Sequence, residues 1–145
     1  MNIILNPGQS NTKRGDINLP AAGNLTGCEN LLWKIVNNNG VANFALPTST
    51  DDYAPYVGAS GDVAGNNVTA EAPGFGENFR VVCKGAVNPG DQICLADPGT
   101  AADAGKVRAL PSGAGTFRVF AIAEEAGVDG QLLLCRKIGE RTISH

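Results

Sequence analysis

Side chains able to do chemistry are few in this chain and poorly spaced for it. The one histidine, His145, is the last residue. A nucleophile activated by imidazole needs that ring held within hydrogen-bond reach. Chain ends tend to fray, so the sequence argues against a Ser–His or Cys–His pair. Glu124 and Glu125 are adjacent acids, but neighbours on a strand face opposite ways, whereas paired carboxylates must converge on one bond. Asp51-Asp52 lacks further ligands nearby and reads as a solvated turn. Gly127-Val128-Asp129-Gly130 reads as a hairpin turn rather than a calcium loop, because the other acidic ligands are missing. Gly74-Phe75-Gly76 and Gly113-Ala114-Gly115 are too short for phosphate loops and precede no helical pattern.

The four cysteines, Cys28, Cys83, Cys94 and Cys135, contain no Cys-x-x-Cys pair, and a zinc site lacks its ligands. They read as buried thiols that pack as small hydrophobes. A disulfide between neighbouring strands stays open, since spacing cannot place one. The five Phe, two Tyr and one Trp do not interleave with basic residues, so no stacking platform for nucleic acid is expected. The expectation is a protein that is not an enzyme, with no catalytic, cofactor-binding or metal-binding residues and no cofactor.

The elements that would position any site are strands. In Phe79–Lys84, Phe79, Val81 and Cys83 alternate with Arg80 and Lys84, the period-two pattern of a half-buried strand. Asn88-Pro89-Gly90-Asp91 follows as a turn. Further strands are expected at 92–96, 106–110, 116–123 and 131–137. The segment 25–36 admits two readings. Thr26-Gly27-Cys28-Glu29 has capping-box form. Yet the dense apolar run through Trp33 leads into Asn38-Asn39-Gly40, a strong hairpin turn, with 41–46 as the return strand. The strand reading is favoured, with Trp33 in the core. No segment sustains a helical period, so the fold class expected is all-β, a compact antiparallel barrel or sandwich.

At 145 residues the chain suits one domain with an adequate core. Apolar content of 43% is that of a globular protein, and 19 glycines with 8 prolines suit a chain that turns often. A net charge of −3 gives no global attraction to nucleic acid or to an anionic membrane. No apolar run has the length of a signal-peptide core or a membrane span, and the expected place of synthesis is a cytoplasm.

Residues 1–23, rich in Asn, Gly, Pro, Ser and Thr, admit two readings, a disordered leader or an extended N-terminal arm that orders on a partner. Ile3, Ile4, Leu5, Ile17 and Leu19 would be wasted on a solvated tail but suit strand addition to a neighbour's sheet edge. Lys13 and Arg14 suit acidic side chains there. Residues 24–145 then form a single β domain, with Pro73-Gly74-Phe75-Gly76 as a hinge between two halves, 24–73 and 77–138. An internal echo supports related halves. Ala45-Leu46-Pro47 recurs 64 residues later as Ala109-Leu110-Pro111, and Gly65 recurs 65 residues later as Gly130. Chance agreement in a Gly- and Ala-rich chain is the alternative.

The last 60 or so residues also carry a resemblance. The runs Pro89-Gly90-Asp91-Gln92-Ile93-Cys94-Leu95, Gly105-Lys106-Val107-Arg108-Ala109, Val119-Phe120-Ala121-Ile122-Ala123 and Asp129-Gly130-Gln131-Leu132-Leu133-Leu134 resemble the C-terminal module of the capsid-decoration, or capsid-cement, proteins of tailed phages. The resemblance rests on turns and apolar runs, not on a catalytic signature. It implies a β-tulip-like fold, a homotrimer, and binding to the major capsid protein on the virion surface, stabilising the head by bridging capsid subunits. It implies neither nucleic acid nor membrane as a direct partner. On that reading Ile3, Ile4, Leu5, Lys13, Arg14, Ile17 and Leu19 are the candidate capsid contacts. The long N-terminal portion departs from the family pattern.

A second reading of the residues is a small β-barrel binding module, of a carbohydrate-binding or tail-fibre accessory kind. It predicts an exposed aromatic patch drawn from Trp33, Tyr53, Tyr56 and Phe75.

Overall fold

The structure is a computed structural model and describes residues 15–145. Ten strands and one short 3-10 helix follow in the order β1 (Ile17–Pro20), β2 (Leu32–Asn38), β3 (Val41–Ala45), β4 (Tyr56–Ser60), β5 (Asn67–Glu71), β6 (Asn78–Val82), β7 (Gln92–Leu95), the helix η1 (Ala101–Asp103), β8 (Val107–Ala109), β9 (Thr116–Ala123) and β10 (Leu132–Ser144). The all-β expectation holds. The segment 25–36 resolves into a turn followed by β2, and Trp33 is fully buried. Asn39 and Gly40 both take positive φ, 50° and 84°. That is the type I′ requirement of a two-residue hairpin whose twist matches its strands.

The strands form two five-stranded sheets, β1-β5-β4-β2-β3 and β6-β10-β9-β7-β8. The second order is the first with five added to every label. The agreement extends to register. Leu19 opposite Val68 is matched by Val81 opposite Leu133, and Trp33 opposite Tyr56 by Ile93 opposite Ala121. Gly58 opposite Ala70 is matched by Ala123 opposite Cys135. Each sheet curls until its first strand meets its last through one parallel bridge, Ala21 to Phe44 and Cys83 to Val107. Such closure covers the edges where the bridges form and leaves the rest of each edge strand unpaired by its own sheet.

Gly65 and Gly130 are equivalent in this frame. Their φ values are 86° and 82°, and their N–H groups donate to Ala21 O at 2.9 Å and Cys83 O at 2.8 Å. The Ala-Leu-Pro echo is not in register. Ala45 pairs with Lys34, and the matching pair in the second sheet is Arg108 with Cys94, so Ala109 lies one residue further along. A slip of one residue exchanges the faces of a strand, so that echo has no common place in the two sheets.

Each curled sheet holds its own interior. The first is filled by Leu19, Leu25, Trp33, Phe44 and Val68, and the second by Val81, Val87, Ile93, Val107 and Leu133. Leu32, Ala54 and Val57 of the first sheet's side belong to the second interior cluster, together with Phe120. These residues join the halves into one body. Two corrections to the sequence reading follow. Residues 17–20, grouped there with the arm, form β1, which pairs with this chain's own β5. The chain end is also held: β10 runs to Ser144, and His145 exchanges backbone hydrogen bonds with Gly115 at 3.0 and 3.4 Å.

Candidate interaction surface

The potentially reactive groups are dispersed. Glu124 meets Arg136 Nε at 2.9 Å, while Glu125 meets Arg80 at 2.7 Å and accepts the Leu134 N–H. Adjacent carboxylates thus go to separate partners. The Leu134 N–H, with Arg80 beside it, lowers the Glu125 pKa. Burial pushes the thiols of Cys94 and Cys135 up to about 11 and about 12, so neither is a thiolate at neutral pH. All four cysteines are free, and Cys83, Cys94 and Cys135 are buried. Among the described residues no group of three or more His, Cys, Asp or Glu is placed to hold a metal ion. Nor is any helix there long and apolar enough to cross a membrane.

What the strands do position is a junction between the two curled sheets. The Leu32 N–H donates to Gly105 O at 2.8 Å, and the Val82 N–H donates to Asn30 O at 3.0 Å. Gly105 has φ +85°, and a Cβ there would lie 2.9 Å from Leu32 O. Only glycine meets both demands without strain. The loop 46–55 crosses from β3 to β4 and straps onto β9. Thr50 Oγ1 donates to Thr116 O at 2.6 Å, and Arg118 Nε donates to Asp51 O at 2.9 Å. Asp52 holds the strap's shape by accepting from the Thr48 and Ser49 N–H groups and from Lys34 Nζ at 2.7 Å. Partial burial raises its pKa, but Lys34 and the two N–H groups outweigh burial and the net shift is downward.

Beside the junction lies an open cleft of about 550 Å³, walled by Gly15 and Asp16, by Val57–Ala59 of β4, by Glu71–Pro73 and by Glu77–Arg80. Asp16, Glu71 and Glu77 pair with no cation among the described residues. These wall residues are scattered in sequence from Gly15 to Arg80, and no motif announces them.

The candidate contact residues fare differently from one another. Ile3, Ile4, Leu5, Lys13 and Arg14 lie outside the described residues. Leu19 is 9% exposed and sits in the first interior. Ile17 is half-buried against the same cluster. Of the proposed aromatic patch, Trp33 is in the core and Tyr56 packs edge-on against Phe44, with ring centroids 5.2 Å apart. Tyr53 and Phe75 are exposed, at 57% and 81%.

No protein-family model matches this chain, and no curated protein matches its sequence. Among solved structures, the chain is similar to the crystal structure of the head fiber gp8.5 N base of bacteriophage phi29. The TM-score is 0.66 at 15% identity, over 90% of this chain and 98% of that one. That likeness is one of fold.

Proposed function

We propose that this protein is a structural component of a phage virion, seated on the outer surface of the capsid as a homotrimer and stabilising the head by bridging major capsid protein subunits. The observation that carries the reading is the shared fold with a phage head-fibre base over nearly the whole of both chains. The sequence resemblance to capsid-decoration proteins supports it independently. So does the pairing of the adjacent acids Glu124 and Glu125 with separate arginines, which suits a body that binds rather than one that catalyses. A ligand that binds only the assembled lattice stabilises that lattice by its binding free energy, and many copies sum the effect.

Adsorption to purified heads tests this. Co-sedimentation is expected with expanded, DNA-free heads of the encoding phage, together with a rise in the temperature at which those heads come apart. Absence of co-sedimentation across a range of protein concentrations up to about a thousand times a nanomolar Kd would overturn the reading. The alternative glycan-binding reading is weakened, because Trp33 and Tyr56 serve the core and leave Tyr53 and Phe75 as the exposed members of its patch.

A further inference from the structure

We infer that the cleft between the two curled sheets is a strand-addition site, and that its occupant is the N-terminal arm of a second copy of this chain. The inference rests on the self-association in the proposed function and names the surface that would carry it.

The acceptor is the outer edge of β6. The Cys83 N–H donates to Gln131 O and the Lys137 N–H donates to Glu77 O, so odd-numbered residues of this strand bond toward β10. Antiparallel pairing alternates, which turns the N–H and C=O groups of Asn78, Arg80 and Val82 the other way. The Val82 N–H confirms the direction by reaching Asn30 O across the junction. The Arg80 and Asn78 main-chain groups instead face the cleft and have no main-chain partner among the described residues. A polar strand edge walled into a cleft is a template for an extended segment. The apolar parts of Val57, Pro73 and Phe79 line the same space.

The occupant is argued from what lies upstream of Gly15. Residues 1–14 carry two basic residues and no acid, whereas the cleft wall carries the carboxylates of Asp16, Glu71 and Glu77. The arm also holds the strand-forming run Ile3-Ile4-Leu5. The arm's root, Gly15, is itself part of the cleft wall. Leu5 lies ten chain steps before Gly15, a separation of at most roughly 33–36 Å. The open stretch Asn78–Arg80 is only about 10 Å long at ~3.3 Å per residue. The arm's length allows the apolar run to extend beyond the cleft at its own root and to enter the cleft of a neighbour. Each copy gives one arm and receives one, a heterologous contact that closes into a ring when the rotation allows.

The test is amide hydrogen exchange on the full chain and on a variant beginning at Gly15, each at two protein concentrations about a hundredfold apart, with molar mass measured by sedimentation. In the full chain at the higher concentration, the Arg80 amide is expected to exchange at least tenfold more slowly than in the shortened chain. On dilution that protection should fall as the oligomer dissociates. Amides of Phe79 and Val81, bonded to β10, should be slow in both and report that β6 is folded. Ile4→Asp should reproduce the shortened chain in mass and in exchange. The inference is overturned if Arg80 is as fast in the full chain as in the shortened one. Protection that persists in a monomer also overturns it, since the chain's own arm would then fill the cleft. Head adsorption, measured separately on both forms, tests the proposed function by itself.

Discussion

Trp33 and Ile93 occupy the same place in the two sheets, opposite Tyr56 and Ala121. The first interior is built on aromatics: Phe44 meets Trp33 in a tilted contact and Tyr56 edge-on, with centroids 5.5 and 5.2 Å apart. The second uses Ile93, Val107 and Ala121 at the matching positions. The larger set demands room elsewhere. Gly58 faces Trp33, and a Cβ there would lie 2.3 Å from indole Cζ2. Its counterpart in the second sheet is Ala123, and there the residue matching Trp33 is the smaller Ile93. One topology therefore accepts two volume solutions, provided the close-packed total is kept.

The faces differ as instructively as the interiors. Leu31 and Leu32 lie where Asp91 and Gln92 lie in the second sheet. The Gly58 N–H donates to Leu31 O at 2.9 Å, as the Ala123 N–H donates to Asp91 O at 3.0 Å. Leu32 is buried beneath Gly105, whereas Gln92 is part-exposed and held by Arg141. Pro20 stands where Val82 stands and has no N–H to make the junction bond. The first sheet thus presents a face to be docked upon, and the second presents a polar cap in its place. Repeated units need such caps to stop association.

The difference between the two sheets is open to four measurements. The largest effect is expected at the glycine beside the indole. Gly58→Ala should cost about 3 kcal/mol or more in urea unfolding, since the Cβ meets both the ring and Cys28 O. The reciprocal Ala123→Gly should cost only about 1 kcal/mol. Combining Gly58→Ala with Trp33→Ile, which copies the second interior, should recover about 1–3 kcal/mol as coupling. Strict additivity would show that the two positions are not a packing pair.

Next in size, Leu32→Gln buries an amide with no partner at the junction and should cost about 2–3 kcal/mol, while Gln92→Leu should stay within about 0.5 kcal/mol. Equal effects would remove the distinction between docked face and cap. Gly105→Ala should cost about 1–2 kcal/mol through its left-handed backbone, with a further penalty from Leu32 O. The smallest effect concerns the strap. Lys34 has Cys94 as its counterpart, so the Lys34–Asp52 pair belongs to the first half alone. The folded-state pKa of Asp52 is lowered. Its contribution is therefore full above the unfolded value of ~3.9 and fades as pH falls through the folded value. Asp52→Asn should lower stability by less than about 1 kcal/mol at neutral pH. The gap between variant and native melting temperatures should close in acid, and a gap that widened there would contradict the assignment.

Much of the second sheet was legible because its strands alternate cleanly: Val81 and Cys83 inward, Arg80 outward, with a glycine turn at each end. The hairpin at Asn39-Gly40 was legible because few residue pairs accept positive φ twice. β1 was hidden because four residues carry little periodicity and Pro20 reads as a breaker. Its strand character comes from β5, which lies some 50 residues away in sequence. The Ala-Leu-Pro echo misled by one position, since composition repeats without regard to register. The candidate surface was the least legible part. Five of its seven predicted residues lie outside the described chain, and the cleft joins segments that share no local pattern.

By itself the sequence determined that this chain forms short antiparallel strands joined by glycine turns. Alternation and positive φ are local demands that each segment states for itself. Tertiary structure alone decided that the strands divide into two sheets of identical order. It also decided that Leu32 is covered while Gln92 is not, and that Asn78 and Arg80 turn an open edge into a cleft. Those outcomes depend on which distant segments meet, and the contacts that select them, such as Leu32 with Gly105 or β1 with β5, exist only once the chain has closed on itself.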